Sequence, residues 1–77
     1  MLGEQIRKAR LAAGLTQEAL AFKAGVTRNY VSLVELGTNS PTVNTLMRMC
    51  DALDVRASKL IAAVEAERER KTAKKRT

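Results

Sequence analysis

The chain has 77 residues, of which 14 are Lys or Arg and 8 are Asp or Glu, so its net charge is +6. It has no His, no Trp and one Cys, which excludes an ordinary zinc site or a disulfide framework within one chain. There is no apolar run of membrane-spanning length, and the polar start MLGEQIRK is unlike a signal peptide. The composition therefore predicts one small cytoplasmic domain without cofactor or metal, and Cys50 is interpreted as a small core residue.

The positive charge is concentrated near the end of the sequence. Ten basic and eight acidic side chains precede Lys71, and the other four basic residues follow within the last seven positions. Residues 1–70 are therefore only mildly basic, which predicts weak and salt-sensitive attachment to nucleic acid. Any sequence discrimination would have to come from individual side chains.

Apolar periodicity predicts five helices and no strands. Helix one covers about residues 2–13, helix two about 17–24 and helix three about 28–36, helix four follows Thr42, and helix five begins around Ala57. The predicted apolar faces are Leu2, Ile6, Ala9 and Ala13 on helix one, and Val43, Leu46, Cys50 and Leu53 on helix four. Residues 71–77 lack apolar periodicity and are predicted to be frayed or disordered.

Helices two and three lie in the segment TQEALAFKAGVTRNYVSLVELG, residues 16–37. Thr16 and Thr27 stand where a helix start needs a side-chain oxygen, and Gly25 stands where a helix end needs positive φ. Apolar residues recur at helical spacing on both helices, and the two stripes would face each other: Leu20, Ala21 and Ala24 against Val31 and Val34. Two short helices joined by about three residues are typical of a helix-turn-helix.

Further segments extend this pattern in a consistent order. They are Ile6-Arg7-Lys8-Ala9-Arg10, Gly14-Leu15-Thr16-Gln17, Leu20-Ala21, Ala24-Gly25-Val26, Tyr30-Val31-Ser32, Glu35 before Gly37, Ser40-Pro41-Thr42, Thr45-Leu46 and Ala52-Leu53-Asp54-Val55. In them the chain resembles the phage repressor and Cro type of helix-turn-helix protein, often called Xre-like, over about residues 2–61. The resemblance implies an all-α, compact five-helix lambda-repressor-like DNA-binding domain, at residues 1–64. Residues 65–77 would form a charged helical extension and basic tail.

The resemblance places the recognition helix at helix three, whose side chains would read base edges in the major groove of double-stranded DNA. The predicted base contacts are Arg28, Asn29, Ser32 and Leu33. Arg suits guanine and Asn suits adenine, whereas Leu33 would contact a thymine methyl or simply be exposed. Arg28 could instead neutralise a phosphate.

Contacts to the DNA backbone are predicted on both sides of the recognition helix. The predicted residues are Gln17, Lys23, Thr27, Tyr30, Thr38, Asn39 and Thr42. Tyr30 has the alternative of bracing helix two, and Lys23 that of a solvated lysine. Leu36 and Thr38 stand where the family often has basic or amide side chains that serve phosphates. The loop would instead use Thr38, Asn39 and the backbone amides at the start of helix four.

In the family, the acid near the end of the recognition helix pairs with an arginine of helix one. The resemblance therefore implies a structural ion pair between Arg10 and Glu35, and the sequence leaves open whether it is buried. Leu60, Ile61 and Val64 on helix five exceed what one small bundle must bury, which predicts a homodimer interface.

The leading functional hypothesis is a homodimeric transcriptional regulator on a palindromic operator, with no membrane or small-molecule ligand. The run Arg28, Tyr30, Val31 and Ser32 resembles controller proteins of restriction–modification systems. The first alternative is an antitoxin whose segment after Val64 binds a toxin. The second is a protein-interaction module without base readout. Enzyme function is not expected, because Cys50 has no His partner and no phosphate-binding loop is present.

Overall fold

A computed structural model describes the backbone of residues 1–76 and the side chains of residues 1–70. Its helices are Leu2–Ala12 (α1), Gln17–Ala24 (α2), Arg28–Leu36 (α3), Val43–Leu53 (α4) and Ala57–Arg76 (α5). Residues 1–76 contain no strand, so the all-α class and the order of the five predicted helices are confirmed. Over that same part of the chain, no helix has the length and apolar character needed to span a membrane.

Threonine side chains cap the starts of three helices. The Oγ1 atoms of Thr16 and Thr27 each accept a hydrogen bond from the backbone N–H three residues on, at 3.0 Å. Thr42 does the same at the start of α4, at 3.2 Å. Each cap satisfies one backbone donor that the helix itself leaves unpaired, which is why these helices begin where the sequence predicts.

The turn between α2 and α3 depends on Gly25. This residue has φ +73°, a left-handed conformation that side chains with a Cβ rarely adopt. The N–H of Val26 then donates to the carbonyl of Ala21 at 3.0 Å, which closes the end of α2. The chain can therefore reverse within a few residues and place α3 across α2.

The core lies between the five helices and is formed mainly by aliphatic side chains. It consists of Ile6, Leu20, Ala21, Ala24, Val31, Val34, Leu46, Met49, Cys50, Leu53 and Leu60. The predicted facing stripes of α2 and α3 are all buried in it. Two other predicted core positions are wrong: Ala13 follows the end of α1 and is exposed, and Val43 is the first residue of α4 and is 73% exposed. Met49 is fully buried on α4 instead.

Helix α5 continues past Lys71, where the sequence predicted fraying. The helix is bounded at Arg76, and the prediction of fraying at residues 71–77 falls on residues that lie outside those described in full. Ala, Lys and Arg, which have high helix propensity, fill most of these positions. The side chains of residues 71–77, and all of Thr77, lie outside the described residues, as does any role of the basic tail.

Helix α1 approaches the end of α3 closely at Gly3. A Cβ at this position would lie 2.2 Å from the carbonyl oxygen of Val34 and 2.7 Å from that of Glu35. Both neighbours are backbone atoms inside a packed helix, so they cannot move aside as a flexible side chain could. Gly3 therefore sets how near α1 lies to α3.

We expect Gly3→Ala to destabilise the fold by about 1–3 kcal/mol, the usual cost of an added group in a filled space. The direction of the change in stability is informative, because Gly→Ala within an unobstructed helix stabilises it by about 1 kcal/mol. Urea unfolding followed by circular dichroism measures the change. Glu4→Ala, at an exposed position of the same helix, is the control and should change stability by less than about 0.5 kcal/mol. A stabilised Gly3→Ala protein would contradict the close approach.

Candidate nucleic-acid interface

Helix α3 has one side that packs against the rest of the domain and one that is exposed. Val31, Val34 and Glu35 are buried against the rest of the domain. Arg28 and Asn29, in the first turn, are exposed. The helix is therefore fixed by one side, and the two polar residues predicted to read bases remain accessible.

Three other residues predicted on the exposed side of α3 are partly buried. They are Tyr30, Ser32 and Leu33. Tyr30 packs against the core, which favours the bracing interpretation over an extended aromatic contact with DNA. Leu33 is partly buried and is therefore not the freely exposed leucine of the prediction. Among the predicted base-contact residues, only the first-turn pair is fully exposed.

The residues predicted to contact the DNA backbone are spread over α2 and the segment from α3 to α4. Lys23, Thr27, Thr38, Asn39 and Thr42 are all exposed. The hydroxyl of Thr42 already makes two hydrogen bonds within the protein. Its oxygen caps α4, and its proton is donated to Oγ1 of Thr45 at 2.9 Å. Thr27 uses its oxygen to cap α3 and keeps its hydroxyl proton for another partner.

Arg10 of α1 and Glu35 of α3 form a buried ion pair. Arg10 Nε donates to Glu35 Oε2 at 2.7 Å, and a second guanidinium nitrogen donates to Glu35 Oε1 at 3.1 Å. The remaining terminal nitrogen donates to the carbonyl of Leu15 at 2.9 Å, just before α2. The exposed fractions are 8% for Arg10 and 7% for Glu35, so the pair is buried. The question that the sequence left open is thereby answered.

Gln17 belongs to the same network, which the sequence analysis missed. It is the first residue of α2, and its Nε2 donates to Glu35 Oε1 at 3.1 Å. The sequence assigned this residue only to a DNA phosphate. Its position at a helix start was readable, but the 18-residue separation from Glu35 gives no local signal of the contact.

Charge at the start of α2 is mixed. The backbone N–H groups of Gln17 and Glu18 have no acceptor within the helix and carry the positive end of its dipole. Glu18 is exposed in the same turn, and its carboxylate opposes the approach of a phosphate. A neutral donor such as the Gln17 amide can add to the attraction for a phosphate. Salt screens this contribution less than it screens the interaction of an exposed charge.

Cys50 lies in the core and its chemistry matches that position. Burial raises the pKa of its thiol, and the negative charge of Asp51 raises that pKa further. A thiol that stays protonated at neutral pH is a poor nucleophile. The residue therefore acts in packing.

The predicted dimer residues of α5 lie in different environments. Leu60 is 7% exposed and belongs to the core, so its assignment to a dimer interface is corrected. The reason is that α5 packs against α1 and α4, and Leu60 joins the core cluster formed with them. Val64 is partly buried, and Ile61 is 44% exposed.

The model of the Helix-turn-helix family matches residues 6–60. The chain belongs to the Helix-turn-helix family. This family consists of DNA-binding transcriptional regulators and is not an enzyme class. The resemblance to repressor-type helix-turn-helix proteins is therefore confirmed, with α2 and α3 in the motif.

Relatives and solved structures agree with the family. The chain is 32% identical over 65 residues to the uncharacterised HTH-type transcriptional regulator y4dJ of Sinorhizobium fredii, covering 84% of both. It is 31% identical over 62 residues to the control protein C.BamHI of Bacillus amyloliquefaciens, covering 79% of this chain and 76% of that protein. The restriction–modification controller protein C.AhdI of Aeromonas hydrophila has a similar structure, with a TM-score of 0.75, 37% identity, and 77% and 89% of the two chains covered.

Some relatives are longer than this chain. It spans 59% and 62% of the lengths of two further HTH-type regulators, both from Bacillus subtilis. The shared part is the DNA-binding fold, since 88% and 87% of the present chain align with them.

The ion pair generates a stability prediction. Glu35→Ala should destabilise the domain by about 3–5 kcal/mol, because it leaves the buried guanidinium of Arg10 without its counter-charge. Urea unfolding measures the loss. Glu65→Ala, which removes an exposed carboxylate from α5, should cost less than about 0.5 kcal/mol. If both variants lost equally little, the pair would not be buried in solution.

Proposed function

We propose that this protein is a sequence-specific transcriptional regulator that binds double-stranded DNA as a homodimer on a palindromic operator. The observation that carries the proposal is the first turn of α3, where Arg28 and Asn29 are exposed just after the Thr27 cap. A recognition helix enters the major groove with this end, where Arg can bind guanine and Asn can bind adenine with paired hydrogen bonds. The start of α4 and the loop before it would contact phosphates beside the groove.

The similarity to C.BamHI and C.AhdI supports a more specific role. C.BamHI is named a control protein and C.AhdI a restriction–modification controller protein, and this chain aligns with 76% and 89% of their lengths. We therefore propose that the protein is a controller that regulates transcription within such a system, including transcription of its own gene.

Selection on a random duplex library tests sequence-specific binding. At about 0.15 M salt, where non-specific attachment is weak, the protein should enrich a two-fold symmetric motif. Its half-sites should lie about one helical turn, roughly 34 Å, apart. No enriched motif would overturn the proposal, and an asymmetric motif would overturn the dimeric form of it.

Arg28→Ala tests base readout. We expect it to weaken binding to the selected operator by about 1–3 kcal/mol and to relax the preference at one base pair in each half-site. Fluorescence anisotropy with a set of single-base variants measures both effects. Lys59→Ala removes the same charge from an exposed position on α5 and should leave the base preference unchanged. Equal weakening on all sequences by Arg28→Ala would mean that Arg28 binds only phosphate.

Ile61→Asp tests the dimer. A carboxylate placed in an apolar interface would lose its hydration, so we expect at least about a tenfold rise in the dimer dissociation constant. Sedimentation equilibrium measures this constant. Ala62→Asp adds the same charge at the next exposed position, on a different side of α5, and should have little effect. A wild-type protein that stays monomeric at micromolar concentration would contradict the proposed dimer.

A further inference from the structure

Leu36 is a large apolar side chain left uncovered at the end of α3. It is the last residue of that helix and is 71% exposed. Gly37 follows it in a left-handed conformation, and the N–H of Thr38 donates to the carbonyl of Leu33 at 3.0 Å, so the chain turns away at once. Among residues 1–70, Leu36 belongs neither to the core nor to the hydrophobic side chains packed against it. The packing of the domain therefore does not account for a leucine at this position.

Leu36 lies on the same side of α3 as Asn29, one of the two proposed base-reading residues. Positions 29, 33 and 36 are separated by four and three residues, a spacing that places side chains on one side of a helix. Val31 and Val34 are buried on the opposite side. Asn29 and Leu36 are exposed, and Leu33 between them is partly buried. The exposed side of α3 is therefore polar at its start and apolar at its end.

The apolar end of this surface has one matching group in the major groove. Thymine presents a C5-methyl group there, whereas the other three bases present only hydrogen-bond donors and acceptors. A leucine side chain cannot replace the water bonded to those polar groups, so its approach to them costs free energy. Its approach to a methyl group instead removes apolar surface from water on both partners. A leucine in the groove therefore favours thymine.

We propose that Leu36 is a specificity-determining residue that contacts a thymine methyl group in each half-site of the operator. The inference rests on the proposed function, since it needs α3 in the major groove. Seven residues separate Leu36 from Asn29, which is about 10 Å along the helix axis. Base pairs are stacked about 3.4 Å apart, so the thymine lies about three base pairs from the pair read by Asn29. Base reading then extends from the first turn of α3 to its last.

Other roles of an exposed leucine have different consequences for binding. A side chain that lies against sugars and phosphates contributes equally on every DNA sequence. A side chain that belongs to a surface for a protein partner has no effect on binding to DNA alone. Only the proposed contact depends on the methyl group of one base. Uracil lacks this methyl group and keeps the hydrogen-bonding groups of thymine, so a thymine-to-uracil replacement isolates the contact.

The experiment uses the operator duplex selected from the random library. Each thymine of the half-site is replaced in turn by uracil, in both half-sites at once, and fluorescence anisotropy gives the dissociation constants of wild type and Leu36→Ala. Circular dichroism confirms that each protein is folded. Leu11→Ala truncates a leucine that is 55% exposed on α1, and this matched control should bind every duplex as wild type does.

We expect uracil at one thymine position to weaken binding of wild type about fifteenfold, which is about fourfold for the methyl group in each half-site. This position should lie about three base pairs from the one at which Asn29→Ala relaxes the base preference. In Leu36→Ala the same replacement should change affinity less than about twofold. An undiminished effect of uracil in Leu36→Ala would contradict the inference, because another side chain such as Leu33 would then contact the methyl group.

Two further results would also count against the inference. Wild-type protein that binds all uracil duplexes as tightly as the thymine duplex has no methyl contact. If Leu36→Ala weakens binding to all duplexes equally, Leu36 lies against the DNA backbone, and the inference fails while the proposed function stands. A protein that enriches no motif from the library would overturn the proposed function, and this inference with it.

Leu36→Gln is a second variant that tests the apolar character of the contact. It keeps a side chain of similar length at an exposed position and replaces the apolar end by an amide. We expect it to lose the sensitivity to uracil, as Leu36→Ala does, because an amide gains little from a methyl group. Sensitivity to uracil that persists in Leu36→Gln would show that the contact does not depend on an apolar residue 36, and the inference would be wrong.

Discussion

The buried ion pair between Arg10 and Glu35 is the interaction on which the rest of the structure depends. Burying two charges costs free energy that only close, well-directed hydrogen bonds can offset, and this pair has two of them. Arg10 adds a third bond to the carbonyl of Leu15, and Glu35 a further one to Gln17. Hydrogen bonds have preferred directions, so these bonds restrict the angle at which α3 crosses α1 and α2. Apolar contacts are non-directional and restrict that angle less.

The hydrophobic core is small, so the positions of the helices also depend on features at their ends. Eleven buried side chains form the core, three of them only as large as alanine or cysteine. With so little apolar surface to bury, the position of each helix depends on its ends: threonine caps at the starts, left-handed residues at the ends of α2, α3 and α4, and the close approach at Gly3. The same features that stabilise the fold also set the relative placement of α2 and α3.

Under the proposed function, the attraction of residues 1–70 to DNA would come more from the starts of helices than from net charge. This part of the chain has only two more basic than acidic side chains. The starts of α2, α3 and α4 instead provide backbone donors and the positive ends of three helix dipoles. Under that function, a domain with so small a net charge would bind non-target DNA weakly, and the side chains on the exposed side of α3 would carry the selectivity.

Local patterns along the chain specify the five helices and the motif formed by α2 and α3, because the threonine caps of α2, α3 and α4 and the left-handed glycines act through neighbouring residues. Tertiary packing sets what depends on residues far apart in the sequence. It placed Leu60 in the core and Val43 outside it, because helix packing selects which part of an apolar stripe is covered. It also joined Gln17 to Glu35 and placed the carbonyls of α3 against Gly3. Such contacts depend on the angles between helices, and no local pattern along the chain encodes those angles.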